Sequence, residues 1–230
     1  MTSVQKPTDR AAQPLPCVLL TGFDAFGSDR LAAQPVNPSW LAVQALHGSR
    51  VEGHDVVAAQ LPTVFGTATA ELMRLIDLHH PALVVCVGQA GGRPAISLER
   101  VAVNLVHAHI PDNAGAQPQD EPVVAGAPAA YFSTLPVTAM LHALQAAGLP
   151  AELSYIAGPF VCNHVFYGLM HALASRPALQ GVWGGFIHVP YVPSQGQPSL
   201  PLGDTVRGLR LAVTCALAEP LIHQALRPIE

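Results

Sequence analysis

The stretch LSYIAGPFVCNHVFYGLMHALA, residues 153–174, places a short strand, a tight connection and a helix in direct succession. Residues 153–157 are predicted to form the strand, Gly158-Pro159 the connection, and residues 163–174 the helix. One cysteine, Cys162, stands where the helix opens. A strand that leads through a tight turn into a helix is the repeating unit of an α/β fold.

The rest of the chain continues this alternation. Short apolar runs predict strands over residues 17–20, 56–61, 82–87 and 182–189. Helices are predicted over residues 37–47, 63–80, 137–147 and 205–226, the last interrupted near Pro220. Several strands look buried on both faces. The sequence therefore predicts a three-layer α/β/α fold, in which helices flank a twisted, mostly parallel sheet.

One strand, residues 96–105, changes the phase of its alternation midway. Ile96 and Leu98 are apolar at even positions, whereas Val101, Val103 and Leu105 are apolar at odd positions. A one-residue slip turns side chains to the other face, so we predict a bulge or bend near residues 99–100. Residues 106–131 show no regular periodicity, and so long a segment is usually functional or disordered. The sequence does not decide whether it covers a site or lies at an interface.

Length and composition restrict the class of protein. The chain has 230 residues, of which 50% are hydrophobic and 11% charged, with a formal net charge of -4. We expect a flexible tail over residues 1–15 and one domain over residues 16–230. Neither a signal peptide nor a membrane span is indicated, and nothing suggests nucleic-acid binding. We expect a cytoplasmic protein. Its four cysteines are widely spaced, and in such a protein we expect them to be free thiols.

Cys162 is the first candidate for chemistry. A thiol at the start of a helix meets unpaired backbone N–H groups and the positive end of the helix dipole. This placement lowers a thiol pKa, and the same N–H groups can form part of an oxyanion hole. The alternative is an inert cysteine in the core, which is the more common state of free cysteines.

His188 and Glu99 are the other two candidates. His188 lies near the carboxyl end of a predicted strand, where open α/β sheets bind ligands, although it is one of eleven histidines. Glu99 is an acid within an otherwise apolar strand, where a charge needs a partner. A carboxylate that orients an imidazole explains Glu99, and so does a salt bridge with Arg93 or Arg100.

Three weaker signals point to other kinds of site. Residues 88–93, GQAGGR, follow a strand but match neither GxGxxG nor the P-loop pattern, which disfavours nucleotide binding. His107 with His109, and His164 with His171, could share a strand face and a helix face. Neither pair has an evident third ligand, so no metal site is predicted.

Together, several blocks resemble one family. These are TGFDAFG at 21–27, NPS at 37–39, GQAGGRPAISLERVAVN at 88–104, IPDN at 110–113, AYFSTLPV at 130–137, AGPFVCNH at 157–164 and GFIHVPY at 185–191. Their order and spacing resemble pyroglutamyl peptidase I (pyrrolidone carboxyl peptidase), a family of cysteine omega-peptidases. The resemblance runs from about residue 18 to residue 195.

The resemblance implies roles for these residues. It makes Cys162 the nucleophile, His188 the general base and Glu99 the third member of a triad that removes an N-terminal pyroglutamyl residue from peptides. No metal or cofactor is implied, and a homo-oligomer, a tetramer or a dimer, is expected. The residues implied to line the substrate pocket are Phe23, Phe26, Thr63, Gln89, Ile110, Phe160 and Val161.

The chain departs from the family pattern at two positions. The family usually has Asp-Ala-Arg before Ile-Pro-Asp-Asn, and this chain has His107-Ala108-His109. If that arginine serves the substrate or the oxyanion, His109 must substitute for it, or activity falls. Pro159 fixes φ and removes a donor in the turn before Cys162.

Two other functions stay open at this point. One is an enzyme of another kind on a related scaffold, such as a nucleoside phosphorylase, although the phosphate loop that it needs is not found. The other is a catalytically impaired homologue that binds pyroglutamyl peptides, or a redox-sensing thiol protein.

Overall fold

We describe the protein from a computed structural model that covers residues 16–28 and 36–218. The strands are β1 (Cys17–Phe23), β2 (Arg50–Val51), β3 (His54–Leu61), β4 (Leu83–Gln89), β5 (Ile96–Glu99), β6 (Val101–Val103), β7 (Ala130–Phe132), β8 (Ala151–Ser154) and β9 (Trp183–Val189). The helices are α1 (Pro38–Gln44), α2 (Thr67–His79), α3 (Val137–Ala146), α4 (Val161–Ser175) and α5 (Leu202–Ala218).

Seven strands form the main sheet in the order β2-β3-β1-β4-β9-β5-β8, and β6 pairs with β7 in a separate antiparallel ribbon. Strands β3, β1, β4 and β9 run parallel to one another. β5 runs antiparallel to β9, and β8 runs parallel to β5. The predicted mostly parallel sheet is therefore confirmed, with a reversal of direction between β9 and β5.

Helices cover both faces of the main sheet. One apolar cluster joins α1, α3 and α5 to one face, and a second joins α2 and α4 to the other. Each face contributes alternate residues of the same strand: Val85 belongs to the first cluster, and Val84 and Cys86 belong to the second. This arrangement is the three-layer α/β/α fold that the sequence predicts.

The phase change in residues 96–105 is a break in the strand. β5 ends at Glu99 in the main sheet, Arg100 lies outside both strands, and β6 begins at Val101 in the separate ribbon. Ile96 and Leu98 pack in the first apolar cluster, whereas Ala102 packs in the second. The predicted bend near residues 99–100 is confirmed.

Several predicted boundaries move. Helix α2 starts at Thr67 rather than residue 63, because Gly66 has a φ of 71°, outside the helical region. Strand β8 ends at Ser154 rather than residue 157, because its ladder with the four-residue β5 ends there. Helix α5 starts at Leu202, three residues early, and the predicted interruption near Pro220 lies outside the described residues.

Two short strands were not predicted. β2 forms a hairpin with β3, and β7 is formed where residues 106–131 end. Most of that segment lacks helix and strand, as predicted, apart from an isolated bridge between Val106 and Glu121. The predicted tail, residues 1–15, lies outside the described part of the chain. Within residues 16–28 and 36–218, no helix has the length and apolar character of a membrane span.

Candidate active site

His188 and Glu99 meet across neighbouring antiparallel strands. Glu99 in β5 pairs with Phe186 in β9, so His188, two residues further along β9, lies diagonally across the ladder on the same face. Nδ1 of His188 is 2.7 Å from Oε1 of Glu99. Glu99 is fully buried and His188 is 3% exposed. A carboxylate at Nδ1 favours the tautomer that carries its proton there and leaves Nε2 free to accept one.

Arg93 also binds Glu99. Its Nη1 donates to the same Oε1 at 2.8 Å and to Oγ of Ser154 at 3.3 Å. Both explanations of Glu99 that the sequence left open therefore hold together: it orients an imidazole, and it forms a salt bridge. The partner in that bridge is Arg93, whereas the guanidinium of Arg100 lies over the ring of Tyr155, 5.7 Å from its centroid.

Cys162 is the second residue of α4 and lies against the same face of the sheet. No side chain caps the helix start at Phe160, so backbone N–H groups of the first turn remain available near the thiol. A Cβ atom added to Gly88 would lie 2.9 Å from Sγ of Cys162 and 2.8 Å from Cζ of Phe186. Gly88 in β4 pairs with His188 in β9, so the thiol lies over the part of the sheet that carries His188.

Asn163 fixes the start of α4. Its Oδ1 accepts from the backbone N–H of Val103 at 3.0 Å, and its Nδ2 donates to the carbonyl groups of Val103 and Leu105. The amide is fully buried, and its loss would leave buried backbone groups unpaired. The β6 ribbon therefore holds the residue that follows Cys162.

The electrostatics of the site favour uncharged Cys162 and His188. Burial raises the pKa of the Cys162 thiol to about 12, and the nearby charge of Glu99 also raises it. Burial lowers the pKa of His188, as does the charge of Arg93, while Glu99 opposes them. Burial raises the pKa of Glu99, whereas the hydrogen bond with His188 and the charge of His188 lower it. The net result is a Glu99 pKa below the usual value. From the position of Cys162 at a helix N-terminus, the sequence predicted a thiol pKa below the usual value. That expectation is wrong, because burial and the charge of Glu99 raise the pKa more than the charge of Arg93 and the backbone hydrogen bond of Cys162 lower it.

A cavity of about 530 Å³ adjoins this cluster. Three of the predicted pocket residues line it: Phe26, Gln89 and Ile110. The other lining residues are Gly27, Ser28, Gly91, Pro111 and Tyr191. Phe26 of the lining contacts Phe160, two residues before Cys162, and Gln89 ends β4, so the cavity lies at the same end of the sheet as the thiol.

Three of the other predicted pocket residues lie deeper, and the fourth does not. Phe23, Thr63 and Val161 are each 3% exposed or less, so they support the wall from behind. Phe23 packs on Phe186, with ring centroids 6.4 Å apart. Phe160 is partly exposed and contacts Phe26, with ring centroids 5.9 Å apart. Phe160 is therefore at the rim.

The segment of residues 106–131 borders the cavity. Nδ2 of Asn113 donates to Oδ1 of Asp24 and to the carbonyl of Ala25, which ties the segment to the TGFDAFG block. The backbone N–H of Thr63 donates to the same Asp24 oxygen at 2.7 Å. The sequence left open whether this segment covers a site. In the structure, residues 110 and 111 line the cavity.

The two departures from the family pattern are neighbours. The backbone N–H of His107 donates to the carbonyl of Pro159 at 2.9 Å, in the turn before Cys162. His109 is exposed and packs against the ring of His107, with centroids 5.3 Å apart. His109 is next to Ile110 of the cavity wall.

The histidine pairs have protein partners. His107 bonds Asp120. His164 bonds Thr69, and His171 bonds Tyr131. Among residues 16–28 and 36–218, no cluster of three His, Cys, Asp or Glu side chains has the geometry to hold a metal ion.

Arg93 and Tyr191 are the site residues that sequence reasoning underrated. Arg93 ends the GQAGGR segment, and the sequence indicated it only as an alternative salt-bridge partner of Glu99. Tyr191 was quoted within the GFIHVPY block but was given no role. No signal in the sequence pointed to Tyr191, because its contact with Gly91, where a Cβ atom would collide with the Tyr191 ring, exists only in the folded chain.

A thiol at a helix start, beside a buried imidazole–carboxylate pair, is the arrangement of a cysteine hydrolase. Comparison with known proteins narrows this class. Residues 17–219 match the family model described as pyroglutamyl peptidase. The chain is 56% identical over 209 residues to a pyrrolidone-carboxylate peptidase of Cupriavidus taiwanensis. The matched region covers 89% of this chain and 94% of that relative.

Solved structures agree with these matches. Pyroglutamyl peptidase I of Bacillus amyloliquefaciens superposes with a TM-score of 0.83 at 45% identity, covering 89% of this chain and 98% of that one. A mutant pyrrolidone carboxyl peptidase from P. furiosus gives a TM-score of 0.82 at 38% identity, covering 89% and 99%. The chain belongs to the pyroglutamyl peptidase family.

Proposed function

We propose that this chain is a cysteine peptidase that removes the N-terminal pyroglutamyl residue from peptides, with Cys162, His188 and Glu99 as its catalytic residues. The observation that carries the assignment is the 2.7 Å bond between Nδ1 of His188 and Oε1 of Glu99, on the sheet face where Cys162 meets Gly88. This is the nucleophile, base and orienting group that a thiol peptidase needs.

The first half of the reaction forms a thioester. Nε2 of His188 takes the proton from Sγ of Cys162 as the sulfur attacks the pyroglutamyl carbonyl carbon. The carbonyl oxygen becomes an oxyanion, and backbone N–H groups at the start of α4 stabilise it, each good donor contributing about 3–4 kcal/mol. His188 then gives its proton to the departing amine, which leaves as the shortened peptide.

The second half restores the thiol. A water molecule gives a proton to His188 and attacks the thioester carbonyl, and the bond between carbon and Sγ breaks. The proton returns to the sulfur, and free pyroglutamate leaves. Glu99 keeps its charge throughout, holding the imidazole in the useful tautomer and stabilising its charged form. The raised thiol pKa and the lowered His188 pKa favour general-base catalysis over a resting ion pair.

The cavity suits an uncharged lactam. Its described lining combines the apolar side chains of Phe26 and Ile110 with the amide of Gln89 and the hydroxyl of Tyr191, and includes no charged side chain. The apolar groups can contact a flat ring, and the polar groups can bond the lactam N–H and C=O. A peptide that begins with ordinary Glu or Gln would bring an ammonium group without a partner, so we expect it to be rejected.

The remaining expectations are also proposals. We propose one catalytic domain over residues 16–230, a cytoplasmic location and a homo-oligomer, a tetramer or a dimer. Tyr155 and Ile156 are 63% and 62% exposed, and large apolar side chains at the surface suit a contact between subunits. Light scattering coupled to size-exclusion chromatography measures the assembly directly.

Hydrolysis of a fluorogenic pyroglutamyl amide by reduced protein tests the assignment. We expect turnover by the wild type, no turnover by Cys162→Ala, and a fall in kcat of about 10³- to 10⁴-fold in Glu99→Gln. Cys215→Ala is the matched control, because Cys215 is also partly exposed but packs with the cluster on the opposite sheet face. Binding without turnover by folded wild type would favour the impaired homologue. Phosphate-dependent cleavage of a nucleoside would favour the phosphorylase.

A further inference from the structure

We propose that Arg93 is a positioning residue of this enzyme: it fixes the Glu99 carboxylate and offsets its charge, so that His188 rests as an uncharged base. The proposal rests on the catalytic roles given above to Cys162, His188 and Glu99. It adds a fourth side chain, which acts on the imidazole through the carboxylate and does not touch the substrate.

The geometry makes Arg93 and His188 partners of one oxygen atom. Nη1 of Arg93 lies 2.8 Å from Oε1 of Glu99, and Nδ1 of His188 lies 2.7 Å from the same atom. Both donors bind the same acceptor, so together they hold Oε1 in place, whereas the buried Oε2 has no hydrogen-bond partner among the described residues. Charge-assisted bonds of this length are stronger than neutral ones. Displacement of Arg93 therefore alters the orientation of His188.

Arg93 also connects the triad to the segment that leads to the nucleophile. Its Nη2 donates to the carbonyl of Ile156 at 2.9 Å, and Nη1 contacts Oγ of Ser154 at 3.3 Å. Residues 155–160 connect β8 to α4, the helix of Cys162. A planar guanidinium can bind a carboxylate and a carbonyl at the same time, whereas an ammonium group offers no fixed fork.

Two charged groups act on His188: Glu99 on β5, and Arg93, which follows β4. The thiols of Cys162 on α4 and Cys86 on β4 lie on the same face of the sheet. Arg93 is the single cation of this set. Its charge lowers the pKa of His188, whereas Glu99 raises it. The side chain of Glu99 is fully buried and that of Arg93 is 27% exposed, so water screens their interaction only in part.

Arg93→Met keeps much of the length of the side chain and removes its charge. The buried carboxylate then has the imidazole as its main counter-charge, which favours imidazolium. We expect the acid limb of the kcat/KM profile to move to higher pH, with a loss about three- to tenfold larger at pH 6 than at pH 8. KM should change little, because Arg93 is outside the described lining of the cavity.

Two further variants separate charge from shape. Arg93→Lys restores the charge without the fork, so we expect the pH profile of the wild type with a lower kcat. Arg100→Met removes the same charge one residue from Glu99, where the guanidinium lies over Tyr155, and should leave the acid limb in place. Added guanidinium should restore part of the lost rate in Arg93→Ala, because the site is partly open.

An NMR titration of the His188 imidazole tests the proposal without relying on turnover. In a Cys162→Ala background, Arg93→Met should raise the pKa of His188, and Arg93→Lys should leave it close to the parent value. An unchanged pKa in folded Arg93→Met, or an equal rise in Arg100→Met, overturns the proposal. Absence of turnover by wild type counts against the proposed function instead, so the two failures are distinguished.

Discussion

Replacement of Gly88 by Ala tests the position of the nucleophile. Gly88 has no positive φ, so Ala can adopt its backbone conformation, and the effect of the change comes from the added Cβ atom. That atom would lie 2.9 Å from Sγ of Cys162 and 2.8 Å from Cζ of Phe186. Ordinary contacts between such atoms are about 3.5–4.0 Å. The Ala side chain and its two neighbours must therefore separate by about 0.6–1.2 Å.

The thiol is the group expected to move. Phe186 is fully buried between Phe23 and Phe166, with ring centroids 6.4 and 5.8 Å away, whereas Cys162 is partly exposed. A misplacement of about 1 Å in a reacting group lowers the rate about 10²-fold. Overpacking of this kind typically destabilises a protein by about 1–3 kcal/mol. We expect Gly88→Ala to remain folded and to lose about 10²-fold in kcat.

The assay is hydrolysis of the fluorogenic pyroglutamyl amide, with thermal unfolding measured on the same samples. Gly184→Ala is the matched control, because a Cβ there would lie 3.0 Å from side-chain carbons of Leu169 and Leu173, away from the thiol. It should lower stability with little effect on kcat. A folded Gly88→Ala variant that keeps kcat within about twofold would refute the placement of Sγ over Gly88.

Two other outcomes are expected. The rate of Cys162 alkylation by iodoacetamide should rise about tenfold per pH unit from pH 7 to pH 10, because the thiol pKa is raised to about 12 and that of His188 is lowered. An alkylation rate that reaches a plateau below pH 7 would indicate that Cys162 and His188 rest as an ion pair. Gly91→Ala should raise KM for the amide more than it lowers kcat, because its Cβ meets the Tyr191 ring at the cavity; an unchanged KM would exclude Tyr191 from the substrate wall.

Local patterns in the sequence predicted much of the structure. The 153–174 stretch does place Cys162 in the first turn of a helix that follows a strand, and the phase change after Leu98 does mark a break. These features depend on turn residues and side-chain alternation, which are readable within a few positions. The main error of chemistry was the thiol pKa. A helix start is visible in a sequence, but the desolvation that opposes it depends on the packing of distant residues.

Strand direction and partner choice could not be predicted in the same way. Nothing local to residues 96–99 shows that β5 runs antiparallel to β9, yet that direction brings Glu99 within reach of His188. The choice of Arg93 over Arg100 likewise depends on how the chain turns after Gly91-Gly92. The family resemblance singled out the three proposed catalytic residues, and the structure shows how neighbouring strands bring His188 and Glu99 together.

The position of β9 has a consequence for how the chain folds. β9 is the last strand in sequence, yet it lies in the interior of the main sheet, between β4 and β5. Until it is inserted, the sheet consists of two separate halves, each with an apolar edge open to pairing with other chains. His188 lies on the strand that joins these halves, and its bond to Glu99 spans 89 residues of sequence. A ribosome-bound chain that has not yet released β9 therefore lacks both a continuous sheet and the proposed general base, so we expect peptidase activity only after the sheet closes.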